Sequence, residues 1–228
     1  MASLLATDKP DVHQLSFGGD LEAVRRAVES DATWVNRRDD DERTPLHWAA
    51  SGDQYEVVRY LLDQGADAKA TDDAGWTPLI IAASVGGVNV VKLLVRSGAN
   101  VNAATQTGQT ALHYAASKNH VRIAQTLVEN GADVLTLDRN RNSALQRAVL
   151  KGHAPMAMLL LDSGARLSQA DLEGNTALHI ACEEGYMEVA QLLLERGANP
   201  EAVNKAEKTP LDLAPAAVRT QLERVIQG

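Results

Sequence analysis

The sequence predicts an all-α solenoid, a stack of about seven short helical repeats of 33 residues each. Two recurring motifs carry this prediction. A four-residue motif with Thr or Ser first and Leu third returns every 33 residues, at 44–47, 77–80, 110–113, 143–146, 176–179 and 209–212. A Gly-Ala dipeptide follows each of the five intervening segments, and its glycines are Gly65, Gly98, Gly131, Gly164 and Gly197.

This period, together with the Thr-Pro-Leu-His form of the motif at 44–47, is typical of ankyrin repeats. Each such repeat has two short helices and a β-turn finger. Because a repeat contacts only its neighbours, we expect one ankyrin-repeat domain over 1–228. Within it we predict an N-terminal capping repeat at 11–43, five full repeats at 44–208 and a C-terminal capping repeat at 209–228.

The residue types within a repeat predict its helices in order. Thr77 can cap the free N–H groups of a first helix, and Pro78 suits the first helical turn. The apolar residues of 57–62 have the spacing of a buried face on a second helix. The recurring glycine then stands just past the helix end, where a left-handed residue is needed. Finger aspartates such as Asp72 and Asp138 are expected to bond their own backbone.

Composition limits the function classes. The formal net charge of -8 disfavours binding to nucleic acid, which needs clustered Lys and Arg. No apolar run approaches the ~20 residues of a membrane-spanning helix, and residues 1–10 do not resemble a secretory signal. Cys182 is the single cysteine, which favours a reducing compartment, and we expect a cytoplasmic and nuclear protein.

The sequence predicts no enzyme and no cofactor. His47, His113 and His179 share one repeat position, but each is two repeats from the next, so they cannot converge on one metal ion. We expect them to hydrogen-bond the turn backbone. Cys182 lies in a register of small residues and is expected in the core. No glycine-rich phosphate loop is present.

Charge segregates along the positions that vary between repeats. In an ankyrin stack the finger tips and the exposed side of the first helices line one concave face. The first two fingers are acidic, the segment from Lys118 to Lys151 is basic, and acidic residues return at 173–184. This pattern favours a partner with complementary charge blocks, although an ordinary solvated surface is the alternative.

Aromatic residues add candidate apolar contacts. Trp48 and Tyr114 share a register with Arg147, which indicates partial exposure. Trp76 stands in an otherwise polar finger register and is a candidate anchor for a partner. The alternative is that Trp76 packs over the next finger.

Five segments go beyond the general repeat pattern. They are Arg43-Thr44-Pro45-Leu46-His47-Trp48, Asp72-Asp73-Ala74-Gly75-Trp76, His113-Tyr114-Ala115-Ala116-Ser117-Lys118-Asn119, Glu173-Gly174-Asn175-Thr176-Ala177-Leu178-His179 and Glu207-Lys208-Thr209-Pro210-Leu211. Together these segments resemble the gankyrin family of proteasome assembly chaperones. The resemblance covers nearly the whole chain. It implies that the chain binds the C-terminal domain of one AAA ATPase subunit of the proteasome base while the regulatory particle assembles.

The same resemblance implies the roles of individual residues. Arg43 and Lys118 would pair with acidic side chains of the ATPase, whereas Asp41, Asp73 and Glu184 would pair with basic ones. With the apolar and basic positions above, the predicted partner-binding residues are Asp41, Arg43, Trp48, Asp73, Trp76, Tyr114, Lys118, Arg147, Lys151 and Glu184. We expect a monomer when free. An ankyrin adaptor or inhibitor for another partner, such as a kinase or a ubiquitin-ligase substrate, is the alternative.

Overall fold

The computed structural model describes residues 11–227, and the chain divides into two compact units at 1–105 and 106–228. The helices of the first unit are α1 (Val12–Gly18), α2 (Leu21–Ser30), a 3-10 helix (Ala32–Asn36), α3 (Pro45–Ser51), α4 (Tyr55–Asp63), α5 (Pro78–Val85) and α6 (Val88–Arg96). Those of the second are α7 (Ala111–Ser117), α8 (Val121–Glu129), α9 (Ala144–Val149), α10 (Ala154–Asp162), α11 (Ala177–Glu183), α12 (Met187–Glu195), α13 (Pro210–Leu213) and α14 (Ala216–Gln227).

The helices of the first unit form two layers. First helices pack side by side, α1 on α3 and α3 on α5, and second helices likewise, α2 on α4 and α4 on α6. Leu46 and Leu79 of the first layer are fully buried, as are Val58 and Leu61 of the second. Val57, Val58 and Leu61 therefore face the core, as the sequence predicts, whereas Leu62 is half-buried.

The second unit repeats this arrangement. The helices α7, α9, α11 and α13 form its first layer, and α8, α10, α12 and α14 form the other. Cys182 is buried in α11, as predicted. The last first-layer helix, α13, has only four residues and ends before Pro215, whose missing N–H cannot continue a helix.

Local chemistry explains where the helices begin and end. The Thr77 hydroxyl accepts a hydrogen bond from the Ile80 N–H at 3.2 Å and so caps α5. Gly65 lies just past α4 with a φ of 87°, in the left-handed region that favours glycine. The glycines of the later Gly-Ala dipeptides have the same backbone conformation, which confirms that prediction.

Four of the fingers are closed by their own aspartates, Asp39, Asp72, Asp138 and Asp171. One carboxylate oxygen of Asp72 accepts hydrogen bonds from the N–H groups of Ala74 and Trp76, at 3.0 and 2.7 Å. Asp138 accepts from Asn140 and Asn142 in the same way, both at 2.9 Å. The predicted side-chain to backbone bonds are therefore confirmed. The β-structure between residues 11 and 227 is limited to isolated bridge residues at positions 104, 110, 170 and 176.

The predicted fold class is confirmed, because paired short helices and turn fingers recur through both units. The single domain over 1–228 and its repeat boundaries stay predictions. Residues 1–10 and 228 lie outside the described part of the chain, and so does the expectation that residues 1–10 carry no secretory signal.

The turn between α3 and α4 differs from its counterpart between α5 and α6. The left-handed residue is Gly86 in the later turn, with a φ of 98°, but Asp53 in the earlier one, with a φ of 53°. Gly52 has an ordinary φ of -85°. It is glycine for a steric reason, because a Cβ there would lie 2.2 Å from the Phe17 carbonyl oxygen.

Substitutions at this turn should act in opposite directions. Gly52→Ala should lower the free energy of unfolding by about 2 kcal/mol, because its Cβ would force the Phe17 backbone to move. Asp53→Gly should raise it by roughly 0.5 kcal/mol, because glycine adopts the left-handed conformation without strain. Urea unfolding of the two variants beside the wild type measures both effects, and a shift of both in one direction would contradict this account.

Candidate functional site

The predicted binding residues of the first unit lie on one face, formed by α3, α5 and their fingers. We call this the first-helix face of unit 1. Asp41 and Asp73 are exposed at neighbouring finger tips, and the Asp73 N–H donates to the Asp41 carbonyl oxygen at 3.2 Å. Arg43, Trp48 and Trp76 are half-buried. Acidic groups therefore stand at the finger tips, above a partly apolar floor.

Arg43 is held by an internal ion pair. Its Nε donates to Asp72 Oδ2 at 3.1 Å, and the side chain of Asp72 is only 1% exposed, against 34% for Arg43. The guanidinium carbon also lies 5.7 Å from the Trp48 ring centroid, within the range of a cation–π contact. The sequence missed this pairing, although it predicted the backbone bonds that the other Asp72 oxygen accepts.

Trp48 is fixed from its other end by Asp39. The indole Nε1 donates to Asp39 Oδ2 at 2.7 Å. Burial acts to raise the pKa of Asp39, but the hydrogen bonds from the Trp48 indole and from backbone N–H groups of its own finger outweigh burial, and the pKa is lowered. The carboxylate is thus charged near neutral pH and holds the indole in place.

A groove of about 200 Å³ lies on the same face. It is lined by Arg43, Ser51, Trp76, Ile81, Ser84 and Val85. Val85 is 47% exposed, which is unusual for valine at a helix end. The sequence contained a sign that position 85 is exposed, because the equivalent positions in the next three repeats are the charged residues Lys118, Lys151 and Glu184. Trp76 and Arg43, two predicted binding residues, meet in this groove.

The predicted residues of the second unit lie on its own first helices and the turns that follow them. Tyr114 and Arg147 are half-buried, whereas Lys118, Lys151 and Glu184 are exposed. Lys118 follows α7 directly and Lys151 lies two residues past the end of α9, and these helices pack side by side. Glu184 follows α11 directly. The ends of three adjacent first helices therefore present two cations and one anion to solvent.

Arg147, like Arg43, has an internal partner. Its Nε donates to Asp138 Oδ2 at 3.1 Å, its Nη2 contacts the same oxygen, and the Asp138 side chain is 1% exposed. Arg147 and Trp48 occupy one register, and each donates to the finger aspartate nine residues before it. This nine-residue spacing is present in the sequence. The register was used only to predict exposure, and the pairing was therefore missed.

The three equivalent histidines are structural, as predicted. Nε2 of His47 hydrogen-bonds the Trp76 carbonyl oxygen at 3.1 Å, and Nδ1 faces the Thr44 N–H at 3.1 Å. Because a carbonyl only accepts and an N–H only donates, the ring must be neutral, with its proton on Nε2. His113 and His179 make the same pair of contacts in the second unit.

Metal and nucleophile chemistry find little support in the described residues. Between residues 11 and 227, no three His, Cys, Asp or Glu side chains converge as a metal site would require. Burial raises the pKa of the Cys182 thiol to about 12, so its reactive thiolate is suppressed at neutral pH. No helix in the same range has the length and apolarity needed to cross a membrane.

The chain belongs to the ankyrin-repeat family. A model described as ankyrin repeats in three copies matches residues 65–138 and 135–204, and a second, for ankyrin repeats in many copies, matches residues 35–82. The fold is typically a protein-interaction module without enzymatic activity. The chain is accordingly an ankyrin-repeat scaffold that binds protein.

Curated relatives share only parts of their length with this chain. It is 44% identical to the human 26S proteasome non-ATPase regulatory subunit 10 over 54 residues, 24% of each chain. It is 50% identical to human ankyrin repeat domain-containing protein 49 over 50 residues, 22% of this chain and 21% of that one. A palmitoyltransferase akr1 from Aspergillus oryzae is 38% identical over 60 residues, 26% of this chain but 8% of that enzyme. The chain thus spans less than a quarter of the length of each of these relatives.

Solved ankyrin domains match over nearly the whole chain. The ankyrin repeat domain of Bcl-3, a member of the IkappaB protein family, has a TM-score of 0.82 and 30% identity, covering 93% of this chain and 97% of that one. The human ASB11 ankyrin repeat domain has a TM-score of 0.86 and 25% identity, with coverages of 93% and 96%.

Removal of the Asp72 carboxylate should destabilise the fold. Asp72→Ala takes away the acceptor of two finger N–H groups and leaves Arg43 without its buried partner. We expect a loss of about 2 kcal/mol in the free energy of unfolding. Asp40→Ala, at an exposed position of the preceding finger, is the matched control and should change it by less than ~0.5 kcal/mol. Equal losses in urea unfolding would contradict the structural role of Asp72.

Buried His47 should make the fold sensitive to acid. Burial is the largest effect on this ring and lowers its pKa from 6.5 to about 4. Because the folded-state pKa lies below the unfolded value, the stabilisation is complete above pH 6.5 and is lost as the pH falls towards 4. This group should cost roughly 2 kcal/mol of stability between pH 7 and pH 4.5.

The variant His47→Gln isolates this contribution. Gln146 already fills the equivalent position in another repeat, where its Nε2 donates to the Asn175 carbonyl oxygen at 3.0 Å and its Oε1 accepts from the Ser143 N–H at 3.0 Å. A glutamine at position 47 should keep these bonds and not titrate. Urea unfolding at pH 7 and pH 4.5 should therefore give a smaller loss for the variant than for the wild type. An identical pH dependence would rule out His47 as a source of acid sensitivity.

Proposed function

We propose that this ankyrin scaffold binds the C-terminal domain of one AAA ATPase subunit of the proteasome base during assembly of the regulatory particle. The gankyrin resemblance of the sequence supports this function, and so does the 44% identity to the human proteasome subunit over 54 residues. The structural observation behind the proposal is that charged residues at the finger tips and at the ends of first helices reach solvent with opposite signs. Asp41 and Asp73 do so in unit 1, and Lys118 and Lys151 in unit 2.

Unit 1 would receive basic side chains of the ATPase at Asp41 and Asp73. The groove below them supplies apolar contact through Trp76, and the half-buried Trp48 adds a second aromatic surface. Arg43 uses only its Nε for Asp72, so its terminal nitrogens can still bind an acidic side chain. In this proposal Arg43 both braces the neighbouring finger and contacts the partner.

Unit 2 would receive mainly acidic side chains. Lys118 and Lys151 are exposed cations, and Arg147 keeps one terminal nitrogen beyond the two that face Asp138. Tyr114 supplies apolar contact, and Glu184 would bind a basic side chain. Complementary charges of this kind set the association rate and exclude wrong partners more than they add affinity.

The biological role follows from the occupied domain. An ATPase whose C-terminal domain is covered cannot dock prematurely on the proteasome core particle, which is the action of an assembly chaperone. The chain would act in the cytoplasm and nucleus, without a cofactor, and as a monomer until it meets its partner.

A second candidate function is an ankyrin adaptor or inhibitor for another protein, such as a kinase or a ubiquitin-ligase substrate. One observation favours it. The ankyrin domain of Bcl-3, a member of the IkappaB protein family, matches 93% of this chain in structure with 30% sequence identity. The same two surfaces would then serve a different partner.

A pull-down against the isolated C-terminal domains of all the proteasomal AAA ATPases tests the proposal. We expect capture of a single domain, weaker at raised salt because exposed charges carry the contact. Lys118→Glu with Lys151→Glu should weaken capture by about tenfold, since each reversal replaces an attraction by a repulsion. Lys92→Glu, an exposed cation on the second-helix layer, is the matched control and should bind like the wild type.

Two results would count against this function. Failure of the wild type to capture any ATPase domain would favour the adaptor alternative. Capture that survives the double reversal but is lost in Lys92→Glu would move the contact to the second-helix layer.

A further inference from the structure

Three exposed arginines of unit 2 take no part in the contacts described so far. Arg139 and Arg141 lie in the finger closed by Asp138, and Arg166 lies in the turn after α10. We call them the finger arginines. Among the described residues, the ion pairs of this unit are made by Arg147 and Arg196, and none involves a finger arginine. Their guanidinium groups are therefore available to a ligand.

Arg141 occupies a finger position at which three other fingers have glycine, whereas Glu42 and Glu207 fill it in the remaining two. Its φ is 61°, in the left-handed region, and the equivalent residues of the fingers on either side are Gly108 and Gly174, with φ values of 79° and 82°. A residue with a Cβ is strained there. The finger thus carries a guanidinium at its tip despite this backbone strain, whereas the fingers on either side have glycine there.

Arg166 also replaces a residue with a local structural duty. In the equivalent turns, Asp133 accepts a hydrogen bond from the Leu135 N–H at 2.9 Å, and Asn199 accepts one from the Glu201 N–H at 3.0 Å. A guanidinium has only donors, so Arg166 cannot make this bond. Position 166 therefore carries a cation and lacks the local hydrogen bond that its equivalents make.

The two positions adjoin each other through Gln169. The Gln169 side chain reaches the Arg141 carbonyl oxygen at 3.5 Å, and Gln169 and Arg166 line one small pocket with Leu135. Two exposed leucines lie beside the finger arginines. Leu135 lines the same pocket as Arg166, and the Leu172 N–H donates to the carbonyl oxygen of Asn140, which precedes Arg141, at 3.3 Å. The surface thus combines cations with aliphatic side chains.

We propose that the finger arginines bind an acidic polypeptide segment of the partner, one that carries aliphatic side chains between its carboxylates. The proposal rests on the function proposed above and adds specificity-determining residues to it. Guanidinium groups bind carboxylates through paired N–H donors, and the flanking leucines suit aliphatic side chains. A nucleic acid fits less well, because the chain carries a net charge of -8 and these leucines offer no aromatic face for a base.

The test compares Arg141→Gly/Arg166→Asn with Glu207→Gly. Glu207 also stands in a left-handed finger position of this unit, with a φ of 56°, so its replacement relieves the same strain while removing an anion. The probe is a fluorescein-labelled peptide of glutamates interspersed with leucines, followed by fluorescence anisotropy at low salt. We expect the arginine variant to bind about five- to tenfold more weakly than the wild type and to show a smaller salt dependence, because Arg139 remains. Glu207→Gly should bind at least as well as the wild type.

The stability of the arginine variant provides a second readout. If the two arginines only supported the fold, their replacement would not raise the melting temperature. Both arginine replacements restore a favourable local residue, so the melting temperature should rise by about 2 °C while binding falls. Unchanged peptide binding in the arginine variant would overturn the inference. So would displacement of the peptide by a single-stranded DNA of equal charge at lower concentration.

Failure of this inference can be told apart from failure of the proposed function. Suppose that the wild type captures an ATPase domain and the arginine variant captures it equally well. The inference is then wrong and the proposed function survives. If the wild type captures no ATPase domain but binds the peptide through these arginines, the chaperone function is wrong and the acidic contact belongs to another partner.

Discussion

The carboxylates of Asp39, Asp72 and Asp138, at the base of their fingers, are the constraint on which both candidate surfaces depend. One oxygen of Asp72 or Asp138 closes the finger by accepting two backbone N–H groups, and the other holds an arginine. Both carboxylates are buried at the side-chain level, so the arginines stabilise charges that would otherwise be costly. Asp39 plays the same double role with an indole in place of a guanidinium. Finger shape and the orientation of predicted binding residues are therefore set by the same groups.

This double role changes how a charged residue on the surface is understood. From the sequence, Arg43 and Arg147 are predicted to bind a partner. In the structure each already forms an ion pair with a buried aspartate. By contrast, Lys118 and Lys151 are exposed at the ends of neighbouring helices, where their full charge reaches solvent. The exposed lysines and the paired arginines thus have different roles on this scaffold. The lysines can act in electrostatic attraction at a distance, and the paired arginines act at contact range.

Repetition explains why the fold could be predicted and the site only in part. Residues that build the repeat recur every 33 positions, so the caps, the buried leucines and the left-handed glycines followed from the sequence. Contacts within the site join residues nine or 29 positions apart, such as Trp48 to Asp39 and Arg43 to Asp72, and these separations differ from the 33-residue period that identifies the fold. The groove at Trp76 was missed for a related reason. Val85 lines this groove, whereas the equivalent positions of the next three repeats carry charged residues. That difference is visible only when the repeats are compared position by position.

The histidine that ties one repeat to the next has a consequence for slow motions of the chain. The N–H groups of Thr44, Thr110 and Thr176 are satisfied by an imidazole nitrogen, and the far side of that ring reaches the carbonyl group of the following finger. Exchange of these three amide hydrogens with solvent therefore requires that the ring leave its place, which also separates a helix from the next finger. Each of these hydrogens is a local reporter on the opening of a single repeat junction.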